Sequence, residues 1–174
     1  MKIFGKTLKE YLWPIKYYII VSVLIVISQY TVGLPLSDKY PIILNITQWV
    51  WELMIALSVI KLVRKYNFNI KNVFLLGVIY SIIIHGLKIS IRYFFYDRTF
   101  WYLLGRFLYG SFLVMAVALP VGIAFIYFKK NPLKLTKKDI IHVIIALALS
   151  ALIIWLITKG QLIEKFYKII TFNR

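Results

Sequence analysis

The chain has no cysteine, which excludes disulfides, thiolate metal sites and cysteine nucleophiles. Acids are almost as scarce, with 6 Asp and Glu against 22 Lys and Arg. They are also dispersed. Glu52 is the one acid inside an apolar segment, while Asp38, Asp97 and Asp139 stand apart from one another in loops. Metal-assisted phosphoryl chemistry needs clustered carboxylates and glycoside hydrolysis needs two, and neither set exists here. The HExxH, GxSxG and glycine-rich phosphate-loop patterns are absent too. An enzyme is therefore not expected, and nothing calls for a cofactor or a metal. No hydrophilic stretch is long enough to form a second, water-soluble domain.

What the chain does have is apolar sequence. Its 174 residues are 61% hydrophobic and 16% charged. A soluble domain would carry about 45–50% apolar and about 25% charged residues. Lipid must therefore solvate much of the surface. Five segments approach the roughly 20 apolar residues that a spanning helix needs: residues 17–36, 42–60, 73–93, 101–128 and 140–158. The expected fold is an all-α integral membrane protein. It is a bundle of about five transmembrane helices over residues 17–158, with a short amphipathic interfacial helix at each end, residues 1–16 and 159–174. Ile3, Phe4, Leu8, Tyr11 and Leu12 form one apolar face before Pro14 breaks the chain. Leu162, Ile163, Phe166, Tyr167 and Ile170 repeat the pattern at the other terminus.

The net charge of +16 would suggest nucleic acid in a soluble protein. Here it follows from topology, and no nucleic acid is expected. Lys2, Lys6, Lys9 and Lys16 precede the first span; Lys61, Arg64, Lys65 and Lys71 join the second and third; Lys129, Lys130, Lys134, Lys137 and Lys138 join the fourth and fifth. These loops fall on one side, which the positive-inside rule makes cytoplasmic. The N-terminus is then inside and the C-terminus outside, although Lys159, Lys165, Lys168 and Arg174 in the tail argue mildly the other way. No small-residue cleavage site follows the lysine-rich start, so the first helix is expected to remain uncleaved. Trp13, Tyr17, Tyr18, Trp101, Tyr102, Tyr127, Phe128 and Trp155 mark the interfaces as an aromatic belt. Anionic headgroups of the bilayer are the expected partners of the basic loops.

The third span carries the sharpest signal. Residues 82–94 read IIIHGLKISIRYF, placing His85, Lys88 and Arg92 in apolar sequence. Ionisable groups in hydrocarbon need a partner, water or a function. On an α-helix these three fall within an arc of about 60°, and Ser81 and Gly77 extend the same stripe. Such a face should meet protein or water.

At a rise of about 1.5 Å per residue, His85, Lys88 and Arg92 share the outer half of the bilayer with Gln48 and Glu52 of the second span. Arg106 and Tyr109 of the fourth span and Gln29 and Tyr30 of the first lie at a similar depth. This predicts a cationic cavity lined by Gln29, Gln48, Glu52, His85, Lys88, Arg106 and Tyr109, with Arg92 at its rim. Glu52 is expected to pair with Lys88 or Arg106, leaving a positive surplus. The cavity would bind or transport a small anionic or zwitterionic ligand, or a lipid headgroup. The same residues also admit a plain account. Lys88, Arg92 and Arg106 would snorkel to headgroups, Glu52 would make one structural ion pair, and His85 would be a core histidine. A third possibility is a proton path through Glu52 and His85. As a whole, the chain could instead be a non-catalytic accessory or scaffold subunit. Its small-residue faces (Ala118 with Gly122, Ala146 with Ser150) and amphipathic ends would then dock a partner membrane subunit or another copy of itself.

Overall fold

The computed structural model describes residues 2–96 and 98–130, with the side chain of Lys130 excepted. The expected span at 140–158 and the amphipathic tail at 159–174 lie outside the described residues. Within them the chain is mostly helical, and four helices are long and apolar enough to cross a membrane. They are Leu8–Ser37, Ile42–Tyr66, Ile70–Phe95 and Phe100–Lys129, each within a few residues of an expected span except at two ends. The first begins early, at Leu8. The second runs past Ile60 to Tyr66, because Lys61, Arg64 and Lys65 are good helix formers whose charges reach water from the last turns.

The first long helix is a composite. It comprises α1 (Leu8–Leu12), a 3-10 turn at Trp13–Ile15, α2 (Lys16–Ser28), a π segment at Gln29–Gly33 and α3 (Leu34–Ser37). Pro14 sits in the first turn of the 3-10 segment, where its missing N–H costs nothing, so the helix tightens there and does not break. The other elements are α4 (Ile42–Tyr66), α5 (Ile70–Tyr80), a second π segment at Ser81–Gly86, α6 (Leu87–Phe95) and α7 (Phe100–Lys130). α5, the π segment and α6 form the third long helix, and α7 runs unbroken through Pro120.

Residues 2–7 depart from the expected helix. They form a small antiparallel hairpin, β1 (Lys2–Ile3) with β2 (Lys6–Thr7). Its two-residue turn needs positive φ at both positions, supplied by Phe4 at 51° and Gly5 at 82°. Thr7 and Glu10 then close a capping box at the start of α1. The hairpin is held by Asn72 at the start of α5. Asn72 Nδ2 donates to the Phe4 carbonyl at 3.1 Å and to the Tyr11 hydroxyl at 2.6 Å. Its Oδ1 accepts from the Asn69 amide at 3.1 Å, so this buried amide is well satisfied. Tyr11 is itself buried and meets Phe68 edge to face.

Lys129 closes the same end of the bundle. Its ammonium donates to the carbonyls of Val63 and Arg64 and to Asn67 Oδ1. A cation on terminal carbonyls complements the helix dipole, and the left-handed Asn67 ends α4. This is the hairpin end of the bundle; the end near Ser37, Ile42, Phe95 and Phe100 is the far end. Between them, Ser58 Oγ donates to the Met54 carbonyl and accepts from the Tyr80 hydroxyl at 2.5 Å, tying α4 to α5.

Candidate functional site

The third long helix packs closely on α7. Gly77 faces Met115 and Ala118, and Gly122 faces Val73, so that an added methyl would meet Met115 Sδ or Val73 Cγ1 at 2.6 Å. The same antiparallel register brings Gly110 beneath His85, whose imidazole occupies the space a side chain there would need. The stripe Gly77, Ser81 and His85 is therefore buried against protein. On a regular α-helix Lys88 and Arg92 would share its arc. The π segment at Ser81–Gly86 adds width to one turn and alters that phase.

From the other side α4 supplies Gln48, Trp51 and Glu52. Gln48 Nε2 donates to Glu52 Oε1 at 2.8 Å. The expected pairing of Glu52 with Lys88 or Arg106 is not formed. Among the described residues the single ion pair is Lys6 with Glu10, at 4.0 Å. Lys88 instead places its ammonium 5.0 Å from the centre of the Trp51 ring. The reason is rotational: Trp51 and Glu52 are successive positions, about 100° apart on α4. Trp51 turns into the bundle and is fully buried, whereas Glu52 is half-buried beside Gln48. A desolvated cation on an indole face is worth about 2 kcal/mol. Glu52 still lies within electrostatic reach of Lys88 and Tyr109, and Tyr109 within reach of Arg106.

At the far end the arginines gather on tyrosines. Arg92 Nε donates to the Tyr30 hydroxyl at 2.7 Å, and another guanidinium nitrogen to the Tyr102 hydroxyl at 3.3 Å. Arg106 lies 5.3 Å and Arg98 5.5 Å from the Tyr102 ring centre. The structure thus brings Gln48, Glu52, His85, Lys88, Arg106 and Tyr109 into one layer, with Arg92 joined through Tyr30 and Tyr102. Gln29 Oε1 is buried and accepts no hydrogen bond among the described residues.

Four more buried polar atoms lack a hydrogen-bond partner among the described residues: Trp51 Nε1, Ser81 Oγ, His85 Nε2 and Ser111 Oγ. Of these residues, sequence reasoning overlooked Trp51 and Ser111. The signal for Trp51 was its position. It lies in mid-segment beside the lone acid, where the aromatic belt gives it no role.

A separate groove of about 360 Å³ opens between α6 and α7. It is apolar, with Ile89, Tyr93, Phe94, Phe100, Leu103 and Phe107 in its walls. On α6, Ile89 and Tyr93 lie about 100° round from Lys88 and Arg92, so groove and cations occupy different faces. Among the described residues no three His, Asp or Glu side chains are grouped to hold a metal ion. The chain matches no family model, no curated protein and no solved structure.

Proposed function

We propose that this is a multi-pass membrane protein that binds an anionic ligand, a small molecule or a lipid headgroup, through the cations of the third and fourth long helices. Five spans, a cytoplasmic N-terminus and an external C-terminus complete the reading, with the cationic layer in the outer half of the bilayer. One observation carries it. Lys88, Arg92 and Arg106 rest on aromatic rings and phenol hydroxyls, and none has a carboxylate partner among the described residues. Rings and hydroxyls orient a cation without neutralising it. In a medium of low dielectric, three such charges favour an arriving anion strongly. The protein's role is binding or transport, without catalysis.

The accessory-subunit reading has less support. Gly77 and Gly122 are taken up by Met115 and Val73 of the same chain, and Tyr11 is buried within it, while Phe4 and Leu8 of the N-terminal face stay exposed. The two glycines and Tyr11 are therefore not free for a partner.

Thermal melting in lipid nanodiscs tests the proposal. Phosphatidylglycerol discs should stabilise the protein over phosphatidylcholine discs. The gain should shrink in Arg92→Gln and again in Arg92→Gln/Arg106→Gln. An equal gain in wild type and both variants would mean that these arginines only snorkel, and the proposal would fall.

A further inference from the structure

Three of the unpartnered polar atoms lie on or against the π segment of the third long helix: Ser81 and His85 belong to it, and the Trp51 ring of α4 meets His85. They are Trp51 Nε1, Ser81 Oγ and His85 Nε2, on residues only 1%, 3% and 6% exposed. Leaving a buried donor unmet is costly, so native proteins rarely collect several together without a partner to receive them. Ser81 and His85 are one turn apart within Ser81–Gly86. The His85 ring meets the Trp51 indole edge to face, 5.5 Å between centres, and the Lys88 ammonium lies 5.0 Å from the same indole. Trp51 thus touches both cationic-helix residues at once.

The chemistry of this group leans toward donors. An indole N–H and an ammonium only donate hydrogen bonds. A serine hydroxyl and one imidazole tautomer donate as well. Glu52 is the acceptor-only side chain nearby, and Gln48 already engages it. With Trp51 and Lys88 able only to donate, and Ser81 and His85 able to donate as well as accept, the group suits negative oxygen. The neighbouring Glu52 charge, within electrostatic reach of Lys88, disfavours a second negative charge on the ligand. The π segment supplies the local widening, and π turns recur at functional sites.

We propose that Trp51, Ser81, His85 and Lys88 form a binding site for a singly charged oxyanion, a carboxylate or a phosphodiester, seated on the π turn of the third long helix. This rests on the anion-binding reading above and narrows it to one ligand class and one set of donors. Trp51 donates from its N–H, Ser81 and His85 donate from one face of the turn, and Lys88 balances the charge.

Trp51 is also the reporter. Full-length protein in phosphatidylcholine nanodiscs is titrated with sodium acetate or sodium dimethyl phosphate against sodium chloride at equal ionic strength. A second arm uses phosphatidylglycerol discs without added anion. Tryptophan emission and melting are followed in both. An emission change with either free anion, absent from Trp51→Phe, is the expected result. Ser81→Ala removes one donor with little change of volume and should weaken binding about tenfold or more, as for a hydrogen bond to a charged group. A response confined to the second arm, lost in the same two variants, assigns the site to a lipid phosphodiester. The inference is overturned if no arm alters emission, or if Ser81→Ala and Trp51→Phe respond as wild type does. The broader reading is judged separately. A phosphatidylglycerol gain that depends on Arg92 and Arg106 would survive that outcome, and its loss would remove both.

Discussion

The Lys88 ammonium stands 5.0 Å from the centre of the Trp51 indole, while Glu52, the next residue of α4, is held by Gln48. The cation of this layer is therefore positioned by a ring and not by the acid. Glu52→Gln keeps an acceptor for the Gln48 amide and breaks no ion pair. Melting of the detergent-solubilised protein should change by about 1 kcal/mol or less. Trp51→Ala, which empties a packed position and uncovers Lys88 and His85, should cost about 3–5 kcal/mol. The opposite ranking would restore the ion-pair account of Glu52.

Gly110 and His85 should be energetically coupled. A methyl at position 110 must push the imidazole aside, so Gly110→Ala is expected to cost about 1–3 kcal/mol. In a His85→Ala background the ring is gone and most of that cost should vanish, giving a coupling energy of about 1 kcal/mol or more in a double-mutant cycle. Additive losses would show that the two residues do not meet.

Asn72 joins the hairpin to the third long helix. Asn72→Ala deletes its three hydrogen bonds and strands the Phe4 carbonyl, while the Tyr11 hydroxyl keeps its bond to the Ile3 carbonyl, for a loss of about 1–3 kcal/mol. Hydrogen exchange of residues 2–12 should accelerate more than that of α4. Asn72→Asp keeps the acceptor for the Asn69 amide but turns a buried carboxylate oxygen onto the Phe4 carbonyl, so it should cost at least as much. Unchanged protection in Asn72→Ala would mean that the hairpin is held by something else.

Orientation is open to a direct check. Reporter fusions after Lys71 and Lys134 are expected to face the cytoplasm, and those after Lys39 and Arg98 the outside. The reverse pattern would move the cationic layer to the cytoplasmic half and change which ligands can reach it.

The four described long helices were legible because length and apolarity are averages over many residues. The sharing of one layer by Gln48, Glu52, His85, Lys88 and Arg106 was legible for a similar reason, since depth follows from a fixed rise per residue. The partner of Lys88 was not. An argument that counts charges assigns a lone acid to a cation, whereas the outcome depended on which of two successive side chains, Trp51 or Glu52, faced inward. The hairpin was hidden because residues 2–7 contain none of the Asn-Gly or Asp-Gly turns that announce one, and their apolar residues suit a helix equally well. The two π segments leave no mark in composition at all. They are a change in hydrogen-bond register, and registers are set by packing.

The π turn at Ser81–Gly86 has the character of an insertion. A turn closed by i→i+5 bonds accommodates one residue more than an α-turn, at the same place in the bundle. Wound instead as regular α-helix with every residue kept, the third long helix would still be ample to cross a bilayer. Everything beyond the turn would then rotate by about 100° relative to the Gly77 face that grips α7. Lys88 would leave Trp51, and Arg92 would leave Tyr30 and Tyr102. Composition would be identical, yet the cations would turn toward the acyl chains. The hydrogen-bond register of this one turn, more than the identity of any residue in it, is what keeps this layer of charge inside the protein.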